Sequence, residues 1–105
     1  MPENRFGRDA SGRLTYEMFR VLGGEYAAVC TAVVAAFSLE AHTTMVVGPD
    51  QMFWDFRRGE QVVELGWDNW SGVIVTARNP EAEPLVREIG AFLERSAWAE
   101  LGQQT

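Results

Sequence analysis

Residues 52–77 read MFWDFRRGEQVVELGWDNWSGVIVTA, runs of strand-forming residues broken at Arg58-Gly59 and again over 68–72. Glycine supplies the positive φ that a tight reversal needs. Three of the four tryptophans lie here. Such a block commits the chain to an antiparallel sheet, and the remaining segments must pack on it.

Strands are predicted over 43–47, 51–57, 61–67 and 73–78, with Gly48-Pro49-Asp50 as a further turn. Centring the hairpin on Arg58-Gly59 sets 56 opposite 61, 54 opposite 63 and 52 opposite 65. One face then collects Met52, Trp54, Phe56, Val63, Leu65 and Trp67. The other collects Phe53, Asp55, Arg57, Val62, Glu64 and Gly66, with Asp55 and Glu64 as diagonal neighbours. A slip of one residue would mix the two sets, which supports this partition.

Before the sheet, a helical spacing runs through Phe19, Leu22, Tyr26, Val29, Val33 and Phe37. It predicts a first helix starting at Thr15, whose hydroxyl would cap the first turn. Glu17 would suit the helix dipole, and Leu14 with Phe19 would form a staple. Leu14, Tyr16 and Met18 also alternate as a strand would, but that pattern fails at Met18-Phe19 and Val21-Leu22. Gly23-Gly24 costs a helix about 1 kcal/mol per glycine. Because the stripe keeps its phase there, two helical pieces on one axis are expected. The opposite side is small and apolar: Ala27, Ala28, Thr31, Ala32 and Ala35.

After the sheet, Asn79-Pro80-Glu81 opens a second helix, with Pro84 in its first turn. Leu85, Ile89, Phe92 and Leu93 form its buried stripe, with Ser96 in the same column, and it should reach Ala97 or beyond. Glu83 and Arg87 are spaced as a surface pair. Trp98 and Leu101 either fold against the body or stay exposed. The predicted class is α+β: an N-terminal helix, a four-stranded antiparallel meander and a C-terminal helix, with both helices on one sheet face. Residues 1–13 read as a flexible tail, 14–101 as a single domain and 102–105 as a fraying end.

Charge narrows the functions available. Fifteen acidic residues against nine basic ones give a net charge of −6. Nucleic acid requires a basic footprint and is excluded as a partner. An acidic surface steers basic partners instead. Every basic residue is arginine, a usage that fits a GC-rich bacterium. No apolar run is long enough to span a membrane, and the N-terminal residues do not resemble a signal peptide. A single cysteine, Cys30, rules out an internal disulfide and fits the cytoplasm.

Chemistry has few candidates. Cys30 and His42 could form a nucleophile–base pair, but Cys30 falls on the buried helix stripe, where a thiol acts as a small hydrophobe. No GxSxG, P-loop, HExxH or GxGxxG occurs. Asp68, Asn69 and Ser71 suit a turn better than a calcium loop. Asp55 and Glu64 could perform acid–base work only if a cleft split their pKa values. No catalytic residue, metal site or cofactor is assigned.

Surface recognition remains. Trp70 either projects from its loop or packs over it, and a projecting tryptophan is a typical interface anchor. The expected function is that of a non-enzymatic, protein-binding domain. Small acidic bacterial domains of this class include immunity or antitoxin-like proteins and secretion-type chaperones. The expected surface comprises Phe53, Asp55, Val62 and Glu64 with the loop residues Asp68, Asn69 and Trp70, and the expected partner is another, basic protein. One alternative is a homodimer through the small-residue helix face and the sheet edges. Another is a small-molecule binder or enzyme with a pocket lined by Tyr26, Trp54 and Trp67.

Overall fold

The fold is that of a computed structural model, which describes residues 5–19 and 21–99. Seven antiparallel strands form one sheet. They are β1 (Phe6–Arg8), β2 (Leu14–Met18), β3 (Glu40–Ala41), β4 (Val46–Val47), β5 (Gln51–Arg58), β6 (Gln61–Asp68) and β7 (Gly72–Ala77). Their order is β1-β2-β7-β6-β5, with β3 and β4 both lying along the outer edge of β5. Helices α1 (Tyr26–Phe37) and α2 (Glu83–Glu94) cover one face, each entered through a short 3-10 turn. They meet where the Phe37 and Phe92 rings stack edge-on, 5.6 Å between centroids.

The α+β class matches the sequence reading; the four-stranded meander and the helix starting at Thr15 do not. Residues 14–18 are strand β2, inserted between β1 and β7. The alternation of Leu14, Tyr16 and Met18 is the true signal, because all three are buried in the core beneath the helices. The helical stripe holds only from Tyr26, through Val29 and Val33. Phe19 and Leu22, which seemed to extend it, are exposed. Gly23 is explained by packing: a Cβ there would lie 3.1 Å from the Trp67 ring, whose Nε1 donates to the Val21 carbonyl at 2.8 Å.

The segment read as a tail contributes β1. Phe6 packs against the core beside Tyr16, 5.1 Å between ring centroids, and charges anchor the segment around it. The buried Arg5 guanidinium donates to Glu94 at 2.8 Å and to the Ala99 carbonyl at 3.3 Å. The Tyr16 hydroxyl donates to the same carboxylate. Arg8 pairs with Glu83, so the predicted Glu83–Arg87 pair is replaced as the main contact. Arg87 lies over the Phe6 ring instead, 5.7 Å from its centroid. Residues 1–4, Leu101 and the end at 102–105 lie outside the described residues. Trp98 is half-buried, and its Nε1 donates to Glu25 at 3.0 Å.

The two hairpins of 52–77 form as predicted, with one register correction. The reversal is Gly59-Glu60, so Arg58 pairs with Gln61, Phe56 with Val63 and Trp54 with Leu65. The shift is two residues, an even number, so every side chain keeps its predicted face. The strand predicted over 43–47 shortens to β4, and β3 lies before the predicted range. Between them His42 N–H and Thr43 N–H both donate to the Asp55 carbonyl, at 2.8 and 3.3 Å, and the chain bulges outward.

Candidate functional site

Opposite the helices, no helix or strand among the described residues is layered on the other sheet face. Its central row runs Thr15, Thr76, Glu64, Asp55 across β2, β7, β6 and β5. Asp55 and Glu64 are therefore directly opposed rather than diagonal. The Asp55 backbone is bonded outward: its carbonyl accepts from residues 42 and 43, and its N–H donates to the Thr43 hydroxyl at 3.2 Å. Toward β6 it forms a non-hydrogen-bonded pair, the kind that brings side chains closest.

Arg78 resolves the resulting repulsion. It follows β7, donates its N–H to the Val62 carbonyl and so shares the uncovered face with Ile74 and Thr76. Its guanidinium lies 3.7 Å from Asp55 and 3.9 Å from Glu64. The two acidic side chains are 17% and 24% exposed, so the cluster is partly desolvated. Burial raises the Glu64 carboxyl above the ordinary range; Arg78 opposes the rise and Asp55 adds to it. Counting forward by twos from Ile74 would have placed Arg78 on this face in advance.

The next row holds Glu17, Ile74, Gly66, Phe53 and Val46. Gly66 has no side chain, so the Phe53 ring lies over the sheet there: a Cβ at Gly66 would be 3.5 Å from Phe53 Cδ1. Phe53 is consequently half-buried, as are Val62 and Glu64. An open groove of about 350 Å³ runs beside the acidic pair, walled by Thr43, Val46 and Phe53.

The β6–β7 turn completes the predicted surface. Asp68 Oδ1 accepts from Trp70 N–H at 2.9 Å and Ser71 N–H at 2.6 Å, which fixes the turn. Asn69 N–H donates to the Asp50 carbonyl at 3.0 Å. Gly72 has φ +73°, and a Cβ there would collide with the Met18 carbonyl. Trp70 is 75% exposed. Phe53, Asp55, Val62 and Glu64 are thus brought together on the face. Asp68, Asn69 and Trp70 stand at its end. The sequence reading missed Arg78, Thr76, Phe19 and Leu22.

Other candidates separate. Cys30 is buried against the Tyr26 hydroxyl, and burial pushes its thiol up to about 11, whereas His42 is exposed at the β5 edge. Tyr26 donates to the Leu65 carbonyl at 2.6 Å and Trp67 to that of Val21, both within the packed layer. Of the three residues proposed to line a small-molecule pocket, Trp54 borders an open groove. That groove, about 440 Å³ and apolar, lies between α1 and the β5 edge and is also walled by Cys30, Val34, Ala41 and Phe56. Among the described residues no group of three or more His, Cys, Asp or Glu is arranged to hold a metal ion. Nor is any described helix long and apolar enough to cross a membrane.

Compared with known proteins, the chain matches no family model, and no curated protein or solved structure is significantly similar to it.

Proposed function

We propose that this domain is a non-enzymatic protein-binding module, of the immunity, antitoxin or chaperone type, that takes its partner on the uncovered sheet face and the β6–β7 turn. The observation that carries the reading is Trp70. A tryptophan 75% exposed on a turn locked by Asp68 and Gly72 is an anchor held ready for a partner. Presenting it in advance lowers the ordering cost of binding. The adjoining face combines apolar Phe53, Ile74 and Val46 with acidic Asp55, Glu64 and Glu17, which suits a basic protein surface. Arg78 between the two carboxylates favours charge recognition over proton transfer. A cytoplasmic, bacterial setting fits the lone buried thiol and the all-arginine basic set.

Calorimetric titration against basic proteins encoded by neighbouring genes, at low and high salt, tests this function. Binding should weaken with salt and be lost with Trp70→Ala or with charge reversal at Asp55 and Glu64. Normal binding by those variants would rule the surface out.

A homodimer is the second reading, favoured by α1. No charged residue occurs between Tyr26 and Phe37, yet Ala27, Ala28, Thr31, Ala35 and Ala36 are exposed. A helix so apolar all round is ordinarily covered. Sedimentation equilibrium at high protein concentration decides: a strict monomer removes this reading.

A further inference from the structure

Three large apolar side chains are exposed on segments tied to the end of the sheet formed by the β6–β7 turn. Trp70 is 75% exposed, Leu22 71% and Phe19 48%. They come from separate segments, and each segment is tied to that end. Phe19 follows Met18, the partner of Val73, and its Cα lies 3.2 Å from where a Gly72 Cβ would stand. Leu22 lies between Val21, whose carbonyl takes the Trp67 indole N–H, and Gly23, which packs on the Trp67 ring. Trp70 projects from the turn fixed by Asp68.

None of these positions needs a large apolar residue for the fold. The turn is made by Asp68 and Gly72, and β2 has already ended at Met18. Clustered exposed aromatic and aliphatic side chains are an aggregation liability unless a partner covers them. The surrounding charge indicates which partner. Glu17 stands one row in on β2, Asp68 closes the turn, and Asp50 accepts from Asn69. Arg5 and Arg8 border the same depression as Phe19, but each is paired, with Glu94 and Glu83. An apolar centre with an acidic margin complements a segment that carries arginine or lysine beside its own apolar side chains.

We propose that Phe19, Leu22 and Trp70 form a preorganised docking site for a cationic, amphipathic segment of another protein. The proposal rests on the protein-binding reading and extends its Trp70 anchor to Phe19 and Leu22.

The test is selection of a random 12-residue peptide library, displayed on phage, against the whole protein. Enriched peptides are then measured on the wild type, on Phe19→Ser/Trp70→Ser and on Asp55→Asn/Glu64→Gln, with denaturation midpoints confirming that both variants are folded. Peptides combining aromatic or aliphatic residues with arginine or lysine, bound at least ten-fold more weakly by Phe19→Ser/Trp70→Ser and weakened by salt, are the expected result. Peptides that lose binding only on Asp55→Asn/Glu64→Gln would overturn the end site while leaving the protein-binding reading intact. Indifference to both variants, or no enrichment, would overturn both. Acidic peptides would overturn the charge assignment. Co-sedimentation with phosphatidylcholine–phosphatidylglycerol vesicles, lost in Phe19→Ser/Trp70→Ser, would replace the protein partner with a lipid surface and overturn the proposal.

Discussion

Asp55 and Glu64 face each other directly across β5 and β6, and the Arg78 guanidinium lies 3.7 Å from the first and 3.9 Å from the second. Two like charges opposed on a sheet are destabilising unless something compensates. Here the compensation comes from a third strand, so β7 is tied to β5 across β6 by charge on one face and by the core on the other.

Stability should therefore depend on pH through Glu64. Its carboxyl is raised, chiefly by burial, so the folded chain holds this proton more tightly than the unfolded chain does. Stability falls as pH rises from the unfolded carboxylate value, about 4.3, through the higher folded value, and the loss is constant above it. Glu64→Gln removes that contribution. Urea denaturation between pH 4 and 8 should show the variant gaining on the wild type as pH rises. Parallel profiles would show that Glu64 does not contribute.

Removing the bridge should steepen the same dependence. Arg78→Met leaves Asp55 and Glu64 opposed without a cation, which pushes the Glu64 carboxyl further up. The variant should be destabilised at pH 7.5 and recover most of the loss near pH 4. A loss that does not vary with pH would mean that Arg78 acts by packing alone.

The N-terminal strand should loosen when its buried charge is removed. Arg5→Ala leaves Glu94 facing only the Tyr16 hydroxyl in a part-buried site. Breaking such a pair from one side costs about 2–3 kcal/mol. Amide exchange should rise first in β1 and at Glu17, whose N–H donates to the Arg5 carbonyl at 3.1 Å. Uniform acceleration across the sheet would show that β1 opens only with global unfolding.

How much of this was legible depended on the kind of signal involved. The two faces of 52–77 could be read because side-chain alternation survives an even register shift; the hairpin moved by two residues and no side chain changed face. Strand β2 was hidden because Phe19 and Leu22 happen to extend the α1 spacing. Their exposure reflects what lies outside the core, which periodicity alone does not distinguish. Strand β1 was hidden more deeply: it is three residues long, and Phe6, its one apolar residue, makes no periodic pattern beside the pairing Arg5 and Arg8. In the candidate site, Phe53, Asp55, Val62 and Glu64 were recoverable from parity. Trp70's projection was not, since it depends on Gly72 meeting Met18 on a strand that had been read as helix.

Gly72 and Trp70 should separate folding from binding within one turn. At φ +73°, with the Met18 carbonyl where a Cβ would stand, Gly72→Ala must displace backbone on β2 and should cost more than about 2 kcal/mol. Trp70 supports nothing beneath it, so Trp70→Ala should leave the denaturation midpoint within about 0.5 kcal/mol of the wild type while abolishing partner or peptide binding. Denaturant titration and calorimetry on the two variants check both halves. If Trp70→Ala were as destabilising as Gly72→Ala, the indole would be packing its own turn and the recognition role would belong elsewhere on the face.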